Sequence, residues 1–218
     1  ALGREFRKAF IPQQGYEFIV AYFNHIDLRV IAHLAEDPGL IIAFEAGQDI
    51  HNATAASIFG VSVDGVSAEQ RSQAKMVSYG LAYGMESYGL AQRLGIATKD
   101  ASEILESYFA AFPAVKSYMD RIVEETKDKG YTETVFGRRR PIPELSSSNF
   151  RVRQAAERQA MNAPIQGLAA DVFKIALVAI DAALEQMQSR SRLVLQVHDE
   201  VILEVHPDEA ETVHELTV

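Results

Sequence analysis

Arg192-Leu193-Val194-Leu195-Gln196-Val197 and Val201-Ile202-Leu203-Glu204-Val205 are two β-like runs with only His198-Asp199-Glu200 between them. That spacing predicts a hairpin with an acidic tip. Far upstream, Tyr16-Glu17-Phe18-Ile19-Val20-Ala21-Tyr22-Phe23 follows the turn-like Pro12-Gln13-Gln14-Gly15 and is rich in β-branched and aromatic residues, so it reads as another strand. Tyr131 to Phe136 predicts a short strand turning at Gly137. Helical patterns fill the middle. A helix from about His25 carries the apolar stripe Leu28, Ile31, Ala32 and Leu34 and ends at Asp37-Pro38-Gly39; others are predicted over 39–46, 49–59, 67–84, 98–112 and 113–129. Ser67 with Gln70, Thr98 before an acidic first turn, and Pro113 at a first helical position mark three of the starts. After Ser146-Ser147-Ser148 a long helical region is expected to break near Pro164. Strands at both ends around a helical centre predict an α+β fold whose antiparallel sheet is assembled from distant segments.

Composition supports a packed core and excludes whole-chain disorder: of 218 residues, 48% are hydrophobic and 23% charged. The best apolar run, Val172 to Leu184, is interrupted by Lys174 and Asp181 and falls short of the roughly 18 apolar residues of a membrane helix. A soluble chain with no membrane partner is expected. Cysteine is absent, which excludes disulfides, zinc-thiolate sites and cysteine-held iron–sulfur clusters and fits a cytoplasmic setting. The opening Ala1-Leu2-Gly3-Arg4-Glu5-Phe6-Arg7-Lys8 is charged and lacks methionine, so it reads as a fragment start rather than a signal peptide. The net charge of -9 argues against a polyanionic partner until its distribution is considered. Arginines 138, 139, 140, 151, 153 and 158 face only Glu144 and Glu157 in sequence, whereas Asp199 to Val218 holds seven acids and no Lys or Arg. One local surface can therefore still take phosphate.

Two clusters can carry chemistry. Asp199 and Glu200 at the hairpin tip offer carboxylate oxygens of the kind Mg²⁺ prefers, although a solvated polar turn is the plainer reading. In Arg71-Ser72-Gln73-Ala74-Lys75-Met76-Val77-Ser78-Tyr79-Gly80-Leu81-Ala82-Tyr83-Gly84, positions 71, 75, 79 and 83 are four apart. On a helix they form a slowly spiralling stripe of two cations followed by two phenols. Such a stripe can hold a phosphate tail at one end and stack a base or sugar at the other. An amphipathic helix with an aromatic packing edge would look the same. The Tyr-Gly steps at 79–80 and 83–84 are costly in a helix, by about 1 kcal/mol per glycine relative to alanine, and suggest close approach of another molecule.

Taken together these residues resemble the family A DNA polymerases, the bacterial DNA polymerase I type. Arg71 to Gly84 resembles the family's motif B, R-x3-K-x3-[FY]-G-x2-Y-G, and Gln196-Val197-His198-Asp199-Glu200 resembles motif C. Ala156 to Gly167 with Ala169-Ala170-Asp171 is similar to the template–primer contact segment, and Gly137-Arg138-Arg139-Arg140, Asp49-Ile50-His51, Ile26-Asp27-Leu28-Arg29 and Ala32-His33-Leu34 match in order and spacing. The resemblance implies part of a right-hand fold: palm over 1–47, helical fingers over 48–129, and palm with the catalytic hairpin over 130–218. It implies template-directed DNA synthesis in replication or repair, with primer–template DNA and dNTP as partners and Mg²⁺ as cofactor. Arg71 and Lys75 would bind the triphosphate, Lys75 also protonating the leaving pyrophosphate. His51 would reach the β-phosphate region, Tyr79 the sugar and Tyr83 the nascent pair, while Asp27 holds the place of a steric-gate glutamate. Arg158, Asn162, Gln166 and His198 would contact primer–template, and Asp199 would ligate magnesium with Glu200 beside it.

The resemblance departs at motif A, which reads A-D-Y-S-Q-I-E-L-R in the family and Ala21-Tyr22-Phe23-Asn24-His25-Ile26-Asp27-Leu28-Arg29 here. A phenol, with a pKa of about 10, replaces the carboxylate that would bridge two metals. Moving Asp27 into that role needs a five-residue shift and loses the Ile-x-Leu-Arg match. A noncatalytic nucleotide and nucleic-acid binding remnant is therefore the alternative, and a Mg²⁺-dependent phosphohydrolase using Asp199 and Glu200 a third reading. If the register is right, Tyr22 must lie beside the Asp199 hairpin despite the sequence between them.

Overall fold

A computed structural model describes residues 5, 6 and 8–218, so most of the charged opening stretch lies outside the described residues. The fold is α+β, as expected, and divides into two compact units. One comprises the described residues up to Asn24 together with Ala170–Val218, and the other His25–Ala169. These limits do not follow divisions at 47/48 and 129/130.

In the first unit, β1 (Glu17–Tyr22), β4 (Arg192–Val197) and β5 (Glu200–Val205) form an antiparallel sheet in the order β1-β5-β4. Val201, Leu203 and Val205 alternate along β5 and share one face. They pack on Phe173, Ile180, Leu184 and Val213 in one apolar cluster. The unit's base is held by Glu204, which accepts from the backbone N–H of Gln13 at 2.8 Å and from Arg192 Nη2 at 2.6 Å. Those donors keep its carboxyl below the usual range.

The second unit holds α1 (Ile26–Ala35), α2 (Pro38–Glu45), α3 (Ile50–Phe59), α4 (Ala68–Ala82), α5 (Ser87–Leu94), α6 (Thr98–Ala111) and α7 (Pro113–Lys129). The short β2 (Tyr131–Glu133) and β3 (Arg139–Pro141) pair antiparallel around the Gly137 turn. Leu28, Ile31, Ile50, Val77, Leu81 and Val115 belong to its core. Ser67 and Gln70 form the expected capping box on α4, and Pro113 opens α7. Thr98 does not cap: α6 starts at Thr98 itself, after Ala97, which provides no side-chain acceptor.

Two expectations are corrected. The helix α8 runs unbroken from Phe150 to Gln186 through Pro164, so losing one N–H donor does not end a helix whose neighbouring residues Ala163 and Ile165 are buried. Its first part belongs to the second unit and its last part to the first. Helix α5 had no sequence expectation, because Gly84, Gly89 and Gly95 hide its pattern. The Tyr-Gly steps are also explained by the chain's own packing. A Cβ at Gly80 would lie 3.0 Å from Met85 Sδ, and one at Gly84, where φ is 66°, 2.9 Å from Arg158 Cβ. Only glycine allows that approach with that backbone.

Candidate functional site

The hairpin is tighter than the sequence suggests. His198 and Asp199 alone make the turn, His198 taking φ 55°, while Glu200 opens β5 opposite Val197. Positive φ is what a two-residue hairpin demands. Across the sheet Tyr22 pairs with Glu200, and the N–H of Phe23 donates to the Asp199 carbonyl at 3.1 Å. Tyr22 thus stands beside the acidic hairpin, as the register required. Tyr22 is 52% exposed at the end of an edge strand.

Magnesium does not fit the donor set found here. Asp199 and Glu200 contribute hard carboxylate oxygens, but the third position is a phenol, which stays neutral near pH 7. Among the described residues, no group of three or more His, Asp or Glu side chains could hold a metal.

In the second unit α4 carries the stripe. Arg71, Lys75 and Tyr79 lie within the helix and Tyr83 is its C-cap. The N-terminal end of α1 grips both phenols: His25 Nδ1 lies 2.9 Å from the Tyr79 hydroxyl, and the Tyr83 hydroxyl donates to Asp27 Oδ2 at 3.2 Å. His25 itself takes φ 57° just before α1. His51 is 1% exposed, its ring edge-on to His25 with centroids 4.7 Å apart and 5.8 Å from Tyr79. Neither of its nitrogens has a hydrogen-bond partner among the described residues. Burial, then the neighbouring His25 and Arg71, push its pKa down to about 4. With both nitrogens buried, a phosphate contact from His51 would require the residues packed around it to move.

Asp49, just before α3, gives each carboxylate oxygen a separate task. Oδ1 accepts from the N–H groups of His51 and Asn52 at 2.9 and 3.0 Å, capping the helix. Oδ2 accepts from Arg71 Nη2 at 2.8 Å and Nε at 3.3 Å. Partial burial raises the Asp49 pKa, but the Arg71 hydrogen bond and the two amides outweigh it, so the carboxyl titrates below its usual range. Both side chains of this ion pair are 42% exposed, and such a pair is worth about 0.2–1 kcal/mol. Lys75 is exposed and makes no ion pair among the described residues.

Arg158, Asn162 and Gln166 follow at four-residue steps on α8 and share a face. Gln166 is exposed, whereas Asn162 keeps Oδ1 buried without a hydrogen-bond partner among the described residues. Arg158 Nη1 reaches Glu86 Oε1 at 3.4 Å, and Gln154 donates to the same carboxylate at 3.0 Å. Both border a cavity of about 430 Å³ with Gly84, Met85 and Met161. His198, on the exposed hairpin turn, belongs to the other unit. Sequence reasoning assigned no role to His25, Asp49 or Glu86. Only Asp49 carried a signal, an Asp placed directly before the helical run from Ile50.

The family model for DNA polymerase family A matches residues 1–218. The chain belongs to that family. It is 50% identical over 215 residues to DNA polymerase I of Mycobacterium bovis, covering 98% of this chain and 24% of that protein. DNA polymerase I of Geobacillus stearothermophilus is 51% identical over 210 residues, covering 96% and 24%. Among solved structures, the POL domain of Pol1 from M. smegmatis in complex with DNA primer-template and dNTP matches with a TM-score of 0.94 at 47% identity. That match covers 99% of this chain and 38% of the other. As a family A polymerase chain, the protein spans about a quarter of the length of the curated relatives it matches. No helix among the described residues is long and apolar enough to cross a membrane.

Proposed function

We propose that the chain is the fingers and the catalytic part of the palm of an enzyme performing template-directed DNA synthesis, the transfer of a nucleotide from dNTP to a primer 3′ end. The palm would comprise 1–47 and 130–218 and the fingers 48–129. The observation that carries this reading is the α4 stripe, where two cations and two phenols succeed one another in the family's motif B order. Arg71 and Lys75 neutralise the triphosphate, and Tyr79 and Tyr83 lie against the sugar and the nascent pair. Asp27 guards the sugar edge next to Tyr83.

In the reaction, the primer hydroxyl gives up its proton to solvent water and its oxygen bonds to the α-phosphorus, while the bond from that phosphorus to the bridging oxygen breaks. Pyrophosphate departs, and Lys75 supplies its proton. Such a transfer depends chiefly on positioning and on charge neutralisation. Arg158, Asn162, Gln166 and His198 would hold primer–template. A cytoplasmic setting belongs to the same reading.

Asp199 and Glu200 would be the palm's carboxylates, with Asp199 the family's magnesium ligand. Tyr22 stands where the family's motif A has an aspartate, so Asp199 and Glu200 would hold a divalent ion without that third carboxylate. That same residue favours the second reading, a binding remnant that holds nucleotide and nucleic acid without fast transfer. Primer extension by the chain, joined to the remaining polymerase segments of a relative, separates the two when Tyr22 is compared with Tyr22→Asp. Extension restored by aspartate supports synthesis. Tight binding of primer–template and dNTP with no extension in either form supports the remnant.

A further inference from the structure

We infer that Asp49 is an internal competitor for Arg71: a carboxylate tethered before α3 that occupies the guanidinium edge a phosphate chain would use, and yields it when a polyanion arrives. The inference rests on reading α4 as a triphosphate-binding helix and goes beyond it by assigning a role to a residue that reading leaves unused.

The geometry points to competition rather than simple support. An arginine grips carboxylate or phosphate most strongly through two parallel N–H donors. Arg71 presents Nε and Nη2 together to the single oxygen Oδ2 of Asp49. Its most effective edge is therefore already taken. The cap on α3 does not depend on that contact, because Oδ1 alone receives the N–H groups of His51 and Asn52. Arg71 can leave while α3 stays capped. The pair is half-exposed, so it is weak and open to an incoming ligand. Lys75, one turn further along α4 and without an ion pair among the described residues, provides the first hold for that ligand. Arg71 and the α3 amides hold the Asp49 carboxyl below its usual range despite partial burial, which favours the charged form that competes.

Isothermal titration of the 218-residue chain with inorganic tripolyphosphate tests this, using Asp49→Asn and Asp49→Ser. Both replacements keep a side-chain oxygen for the α3 cap and remove the competing charge. Each should bind tripolyphosphate about three- to tenfold tighter than the parent. In an Arg71→Ala background the same substitutions should change affinity less than twofold. A gain that persists without Arg71 is a general charge effect and overturns the inference, as does unchanged or weaker binding in both variants. Absence of binding by the parent and both variants instead overturns the reading of α4 beneath it.

Discussion

Along α4 a guanidinium, an ammonium and two phenols stand in order, and residues at the starts of α1 and α3 hold three of the four. At the β4–β5 hairpin the backbone is equally well formed, yet the side chain opposite Glu200 is a tyrosine. The two regions differ in what determines them. Strand register is set by alternation and backbone pairing, which any β-former at position 22 satisfies. A carboxylate there would answer only to chemistry. Backbone integrity at the hairpin therefore says nothing about catalysis, whereas the contacts around α4 depend on the side chains themselves.

Replacing Tyr22 with aspartate tests the contrast most severely. In a chain completed with the remaining polymerase segments, Tyr22→Asp should raise the primer-extension rate at least about a thousandfold, or about 4 kcal/mol of barrier. Equal rates at matched salt and Mg²⁺ would mean that the hairpin was already competent.

On the α4 side, Gly84→Ala should destabilise the fold by about 3 kcal/mol, read as a lower urea midpoint. The new methyl must fit 2.9 Å from Arg158 Cβ on a backbone with positive φ. A neutral effect would show that the junction of α4 and α8 is loose.

Acid sharpens the comparison further. His51 is held neutral, with a pKa of about 4 against 6.5 when unfolded. The unfolded chain thus takes up the proton first. Stability from this group is complete above pH 6.5 and falls as pH drops toward 4, by on the order of 2 kcal/mol at pH 5. Urea melts at pH 5 and 7 should show that loss, and His51→Phe should flatten it. Smallest of all, Lys75→Ala should weaken dNTP binding about tenfold, or about 1.4 kcal/mol, with little change in the melting temperature.

Much of this was legible in the sequence. β-Branched and aromatic residues over 16–23 and 201–205 announced two strands, and the four-residue steps of α4 announced its stripe. What escaped depends on neighbours distant in sequence. Gly89 obscured α5, and Pro164 suggested a break that the buried surroundings of α8 override. The glycines at 80 and 84 pointed to a foreign molecule where Met85 and Arg158 were the real visitors. The second task of Asp49 appears only once α3 and α4 are side by side.

The position of β1 in the sheet has an evolutionary consequence. β5 is paired on both sides, so Glu200 sits in the sheet's middle strand, while the half-exposed Tyr22 closes an edge strand. Substitutions at such half-exposed positions usually change stability little, so folding places only a weak demand on the identity of residue 22. Chemistry makes the stronger demand there, so where that demand relaxes, residue 22 can change while the strand register around it is kept.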